Sequence, residues 1–145
     1  MKKTLLTLSM VALLSSISMA SAQNIAVVDV QAVVAKSNQV AALKKDQQKK
    51  MQELDKWLQS ARADVEKQKT QEGKDKLLKK YNTEFAKKKE TIAKDYQTRL
   101  SAIDKSITTT IESKAKAMGY DMVIAKSMVI CGGNDITADI QRVVK

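Results

Sequence analysis

Apolar positions follow two regimes along this chain. From Ile25 to Val40 most residues are apolar, and from Gly119 to Val144 about half are, whereas between Ala41 and Lys94 only 17 of 54 are apolar and 25 are charged. The ends can build a core; the middle has too little apolar surface to build one alone. Within that middle, Met51, Leu54, Leu58, Ala61 and Val65 recur at steps of 3, 4, 3 and 4, which is a coiled-coil seam. The series Leu78, Tyr81, Phe85, Lys89, Ile92, Tyr96, Leu100, Ile103, Ile107 and Ile111 continues it, with steps mostly of 4 after Ile92. A mean spacing of about 3.7 argues against a tight left-handed supercoil there. Gln47 and Lys89 fall at inward phases, so the seam is thin and predicts a loose helix pair.

Lys, Gln, Glu, Ala and Leu dominate the middle, Pro is absent, and Gly73 is the only glycine before Gly119. A glycine in Gln71-Glu72-Gly73-Lys74-Asp75 suits a helix end and a reversal, placing the tip of a hairpin near 71–75. Folding there leaves 42 residues from Gln31 to Glu72 and 45 from Lys74 to Met118. Such legs are about 63 to 68 Å long, so their far ends meet. The competing reading is one uninterrupted helix, since glycine inside a helix costs only about 1 kcal/mol. The hairpin reading divides the chain into an arm, 41–118, and a β-rich body, 23–40 with 119–145.

Strand material sits where the legs meet. Ile25-Ala26-Val27-Val28-Asp29-Val30 is a β-branched run, Gly119 stops the second leg, and Asp121 to Ala125 and Met128 to Cys131 flank Lys126-Ser127 as a short hairpin turn. These runs are apolar on both faces, which predicts a sheet covered on both sides. Three short strands cannot cover themselves, so neighbouring copies are expected to pool Ile25, Val27, Val28, Val30, Val123, Ile124, Val129 and Ile130 as an oligomer core. Gly132-Gly133 ends the last strand. Asn134 or Asp135 then caps a closing helix whose stripe is Ile136, Ile140 and Val143/Val144.

The first 22 residues read as an export signal. Lys2 and Lys3 precede an apolar run, Leu5 to Ile17, and Ala20-Ser21-Ala22 supplies a small-residue cleavage site. As a membrane anchor the run falls short of the roughly 20 residues needed to span a bilayer. Cleavage after Ala22 leaves an exported chain with 24 bases against 16 acids. The surplus is concentrated: residues 41–73 carry 8 bases and 6 acids, residues 74–94 carry 8 and 3.

Composition also removes chemistry. There is no His and one Cys, so neither a Ser-His-Asp nor a Cys-His pair, a Cys/His zinc cage nor an intrachain disulfide is available. Gly73-Lys74 is an isolated dipeptide rather than a phosphate loop. No catalytic residues, metal or cofactor are expected, and the chain does not read as an enzyme. Asp135 and Asp139 are spaced like one helix face, but capping and first-turn roles explain both. Cys131, alone at the end of an apolar strand, reads as a small buried filler rather than a link between copies.

Two groups on the arm are candidates for contact with a guest. The lysines Lys74, Lys76, Lys79, Lys80, Lys87, Lys88, Lys89 and Lys94 suit acidic clients or anionic headgroups, although each alone is also an ordinary solvated position. Trp57, Tyr81 and Phe85 read first as packing between the legs and second as apolar client contacts.

A cleavable leader, the opening Ile25 to Val30 strand followed by Gln31 to Ser37, a lysine-rich helical middle, the Met122 to Ile130 pair and the ending Asp135-Ile136-Thr137-Ala138-Asp139-Ile140 together resemble the Skp (OmpH-like) periplasmic chaperone family. The resemblance covers essentially the whole chain after the leader, and its two ends are its most specific parts. It implies an α+β homotrimer in which strands of three subunits form a small β-barrel body. Long α-helical hairpin arms extend from that body and enclose unfolded outer-membrane proteins without ATP. It also implies association with lipopolysaccharide and anionic phospholipid, for which no residues carry over. Cys131 and the scarcity of arm aromatics depart from the family. The alternative function is a cationic exported protein that binds lipopolysaccharide, an anionic membrane surface or nucleic acid, the last being the least favoured partner.

Overall fold

β1, Ile25–Val28, is the middle strand of a three-stranded sheet of order β2-β1-β3. The computed structural model describes residues 24–144, so the export signal at residues 1–22 lies outside them. Both neighbours run parallel to β1: Ile25 to Val28 pair with Met122 to Ala125 of β2, and Ala26 and Val27 pair with Asn134 and Asp135 of β3. Between β1 and β2 the chain passes through α1 (Val30–Lys36), α2 (Asn38–Glu66) and α3 (Gln71–Ala117), and α4 (Thr137–Gln141) closes it. The result is mostly helical with a small parallel sheet, an α+β arrangement.

Local chemistry fixes the joints. Asp29 ends the strand because its carboxylate accepts from the Ala32 N–H at 2.9 Å and starts α1, so Val30 is helical rather than the last strand residue. Ser37, 1% exposed, separates α1 from α2: its N–H donates to the Val34 carbonyl at 3.1 Å and its hydroxyl accepts from the Val40 N–H. The first leg is therefore two helices. The second is one, of 47 residues and about 70 Å. It stops at Gly119, whose φ of +81° is the left-handed cap that glycine adopts without strain.

Alternation along β1 sends Ala26 and Val28 to one face, where they join Val33, Val40, Ile107, Ile111, Ala115, Ile136 and Ile140 in a single core. Val123 of β2, in register with Ala26, packs against it. The opposite face carries Ile25 and Val27 beside Met122 and Ile124. Only Val27 is closed there, since Met122 remains 43% exposed. One face of the sheet is thus covered by the chain's own helices and the other is largely open.

Two features differ from the pattern in the sequence. Met128 to Cys131 does not pair with Asp121 to Ala125 as a hairpin: Lys126–Met128 is a 3-10 turn and the chain crosses to the far edge of β1, where Asn134–Asp135 form β3. Gly132 and Gly133 make that crossing possible with φ of +86° and +79°. A Cβ on Gly133 would clash with Val27 Cγ2. The reversal of the arm, too, spans residues 67–70, ahead of Gly73. Thr70 is the extended N-cap of α3 and its hydroxyl accepts from the Gly73 N–H at 3.2 Å. Gly73 serves close packing in that cap rather than a left-handed turn, because a Cβ there would sit 2.9 Å from the same oxygen.

Candidate functional site

The arm is packed progressively more thinly with distance from the body. At its base, Val40, Ile107 and Ile111 belong to the core and Leu43 is buried beside them. Farther out α2 buries only Leu54 and Ala61, and α3 buries nothing between Gln71 and Ser106. A helix pair with so few closed apolar contacts depends on what else links its legs.

Four charged side chains supply the first link. The Lys50 ammonium donates to Asp95 Oδ2 at 2.6 Å and lies 3.2 Å from Asp46 Oδ2. The Arg99 guanidinium donates to Asp46 and stands 3.7 Å from Asp95. These hydrogen bonds hold the Asp46 and Asp95 carboxyls below the usual carboxylate range, chiefly through Lys50, and raise Lys50 through Asp95 and then Asp46. The network escapes the apolar pattern because its members sit beside the seam. A signal for it exists: Asp46 with Lys50 and Asp95 with Arg99 are opposite-sign pairs at i, i+4, placed symmetrically about residues 72 and 73.

Aromatic rings supply the second. Trp57 of α2 meets Tyr81 edge-on at 5.7 Å and stacks parallel to Phe85 at 6.5 Å. The Tyr81 hydroxyl donates to Asp64 at 3.1 Å, and desolvation, then Asp64, raises its pKa. Lysines roof the cluster: Lys80 lies 5.8 Å from the Tyr81 ring, Lys88 5.3 Å from Trp57 and Lys89 5.5 Å from Phe85. Lys89 is therefore exposed over a ring rather than inward. The two readings of these aromatics coexist, because packing between the legs leaves all three rings half-buried.

Between the aromatic cluster and the charged network runs a groove of about 550 Å³. Its floor is Leu54, Trp57 and Ile92, and its rim includes Lys50, Glu53, Lys87, Lys88 and Asp95. Lys94 lines the adjoining groove with Lys87 and Glu90. Lys80 pairs with Glu84 at 3.8 Å, but among the described residues no carboxylate pairs with Lys87, Lys88, Lys89 or Lys94. Lys74, Lys76 and Lys79 stand apart, near the tip. The arrangement offers an apolar trough with unpaired cations beside it, suited to amphipathic chains through weak contacts.

The predicted oligomer residues divide. Val28 lies in the chain's own core with Val123 against it; Ile25, Ile124 and Val129 are half-buried. Val27 is closed, whereas Val30 and Ile130 are exposed, Ile130 completely. Cys131 is also exposed rather than buried, because the segment after the 3-10 turn is a loop and not a strand. Neither Asn134 nor Asp135 is the N-cap of the closing helix: both lie in β3 and Ile136 holds that position with no side-chain cap bond, while the Thr137 N–H donates at 2.9 Å to the carboxylate of Asp135. Its carboxyl is strongly depressed by Lys126, 2.7 Å away, and by Thr137. No group of His, Cys, Asp and Glu among the described residues is arranged to hold a metal. No helix among them is long and apolar enough to cross a membrane.

The model of the family described as Outer membrane protein (OmpH-like) matches residues 24–143, and the chain belongs to that family. It is a periplasmic chaperone family whose members bind outer-membrane proteins, and it is not known for enzymatic activity. A comparison with curated proteins returns no match.

Proposed function

We propose that this chain is an ATP-independent periplasmic holdase. Three copies join through the open face of the sheet and the apolar loop beside it, and their arms surround an unfolded outer-membrane protein during transit. An unfolded barrel strand alternates apolar and polar residues and exposes unpaired edges until it reaches lipid. Many weak contacts on several arms retain such a chain by effective concentration, with no single tight pocket and no nucleotide. The observation that carries this reading is the trough floored by Leu54, Trp57 and Ile92, lying on an arm outside the core and flanked by Lys87 and Lys88. Trp57, Tyr81 and Phe85 serve as apolar contacts when their lysine roof is displaced, and Lys74, Lys76, Lys79, Lys80, Lys87, Lys88, Lys89 and Lys94 draw in acidic segments. Exposed Met122, Met128 and Ile130 favour the shared body.

A second reading rests on the cations lacking carboxylate partners: a binder of lipopolysaccharide, anionic membrane surfaces or nucleic acid. One assay separates the two. An unfolded β-barrel protein is diluted from denaturant at physiological salt, with and without this protein, and light scattering is followed. The holdase suppresses scattering at near-stoichiometric amounts. Equal precipitation in both arms, with salt-sensitive binding to polyanions, leaves only the second reading.

A further inference from the structure

We propose that Asp46, Lys50, Asp95 and Arg99 form a salt-labile clasp that locks the outer arm to the base, and that screening it lets the outer arm swing as a lever. The reason is positional. On the body side of the clasp the legs are held by Leu43 and the core, and on the tip side by Leu54, Ala61 and the Trp57 cluster. Between Leu43 and Leu54 no side chain of α2 is buried, and α3 buries none opposite. At that level the helices are joined by charge: Lys50 and Arg99 each bridge carboxylates of both helices. The four side chains are 31% to 42% exposed, so water and ions reach them. Isolated exposed pairs contribute little, but at a joint where no apolar or aromatic side chain is fully buried, and only Tyr96 among them is half-buried beside the charges, a network of four carries more of the link between the legs. Screening shortens from about 10 Å at 0.1 M salt to about 3 Å at 1 M, which reaches the longer contacts of this network first.

The test is amide hydrogen exchange on the full assembled protein without client, so its failure leaves the holdase reading untouched. In an Asp46→Asn, Asp95→Asn variant, amides of 51–66 and 71–94 exchange about threefold faster or more, whereas those of 25–36 and 107–117 keep their protection. Raising salt to about 0.5 M accelerates the outer arm of the parent toward the same rate and adds nothing in the variant. The charge-swapped Asp46→Lys, Lys50→Asp, Asp95→Lys, Arg99→Asp chain regains slow exchange and its salt dependence. Unchanged exchange in the Asn variant overturns the proposal, and so does equal acceleration of parent and variant by salt. Should the Asn variant lose its body protection as well, the parent's salt response alone decides: acceleration confined to the outer arm supports the clasp, and uniform or absent acceleration refutes it.

Discussion

Body and arm are built on opposite rules from neighbouring stretches of one chain. In the body, Ala26, Val28, Val33 and Ile140 are wholly closed, and joints are tied by specific bonds such as the Asp29 N–H to the Thr137 hydroxyl at 2.9 Å and Gln141 to the Ala32 carbonyl at 3.0 Å. Along the arm, two long helices meet through a few apolar residues, three half-buried rings and a set of exposed charges. Under the proposed function, stability and guest contact fall in separate places, so each can be damaged without the other.

The largest effect is expected in the body. Ile140→Ala removes a fully buried side chain from the centre of the core and costs about 2–5 kcal/mol, read as a lower melting temperature with loss of assembly. Gly133→Ala follows: it forces an L side chain into a left-handed conformation against Val27, at a cost of about 1–3 kcal/mol for the backbone before any clash. Trp57→Ala inverts the pattern. It loses two ring contacts worth about 0.5–1.5 kcal/mol each, so the body melts nearly as before while suppression of client scattering falls severalfold. A melting loss as large as that of Ile140→Ala would erase the division of labour.

Acid probes the arm more gently. Asp46 and Asp95 are held below the ordinary carboxylate value of 3.8, so the stabilisation they give is full above that value and disappears as pH falls through their lower folded-state values. Spin labels at Gln39 and Thr83, on either side of the network, in a Cys131→Ser background should report a constant separation from neutral pH to about pH 4 and broadening only below it. Broadening near neutrality would show that other groups hold the legs. The smallest effect is for Lys87→Glu with Lys94→Glu, exposed positions whose replacement leaves melting unchanged and slows client capture at low salt only.

Much of this was legible in the residues themselves. The 3-and-4 spacing from Met51 to Val65 and the breaker near 71–75 foretold the two-legged arm, because helix periodicity is local. Gly119 as a stop and Ile136 with Ile140 as the closing stripe rest on the same logic. Met128 to Cys131 misled because an apolar run announces burial or strand pairing, yet which edge of β1 is used depends on Gly132-Gly133 and on the Lys126–Asp135 ion pair at 2.7 Å. Those are tertiary choices. The reversal came before Gly73 because Thr70 caps a helix whose third residue must be small. The charged network was invisible to an apolar count, although its symmetric placement was written in the chain.

The most direct measurement is native mass spectrometry of residues 23–145, alone and after dilution of an unfolded outer-membrane β-barrel protein into them. The account predicts a three-copy particle that gains one client chain and keeps its three copies. A single-copy particle, or an assembly that never acquires client mass, would contradict it.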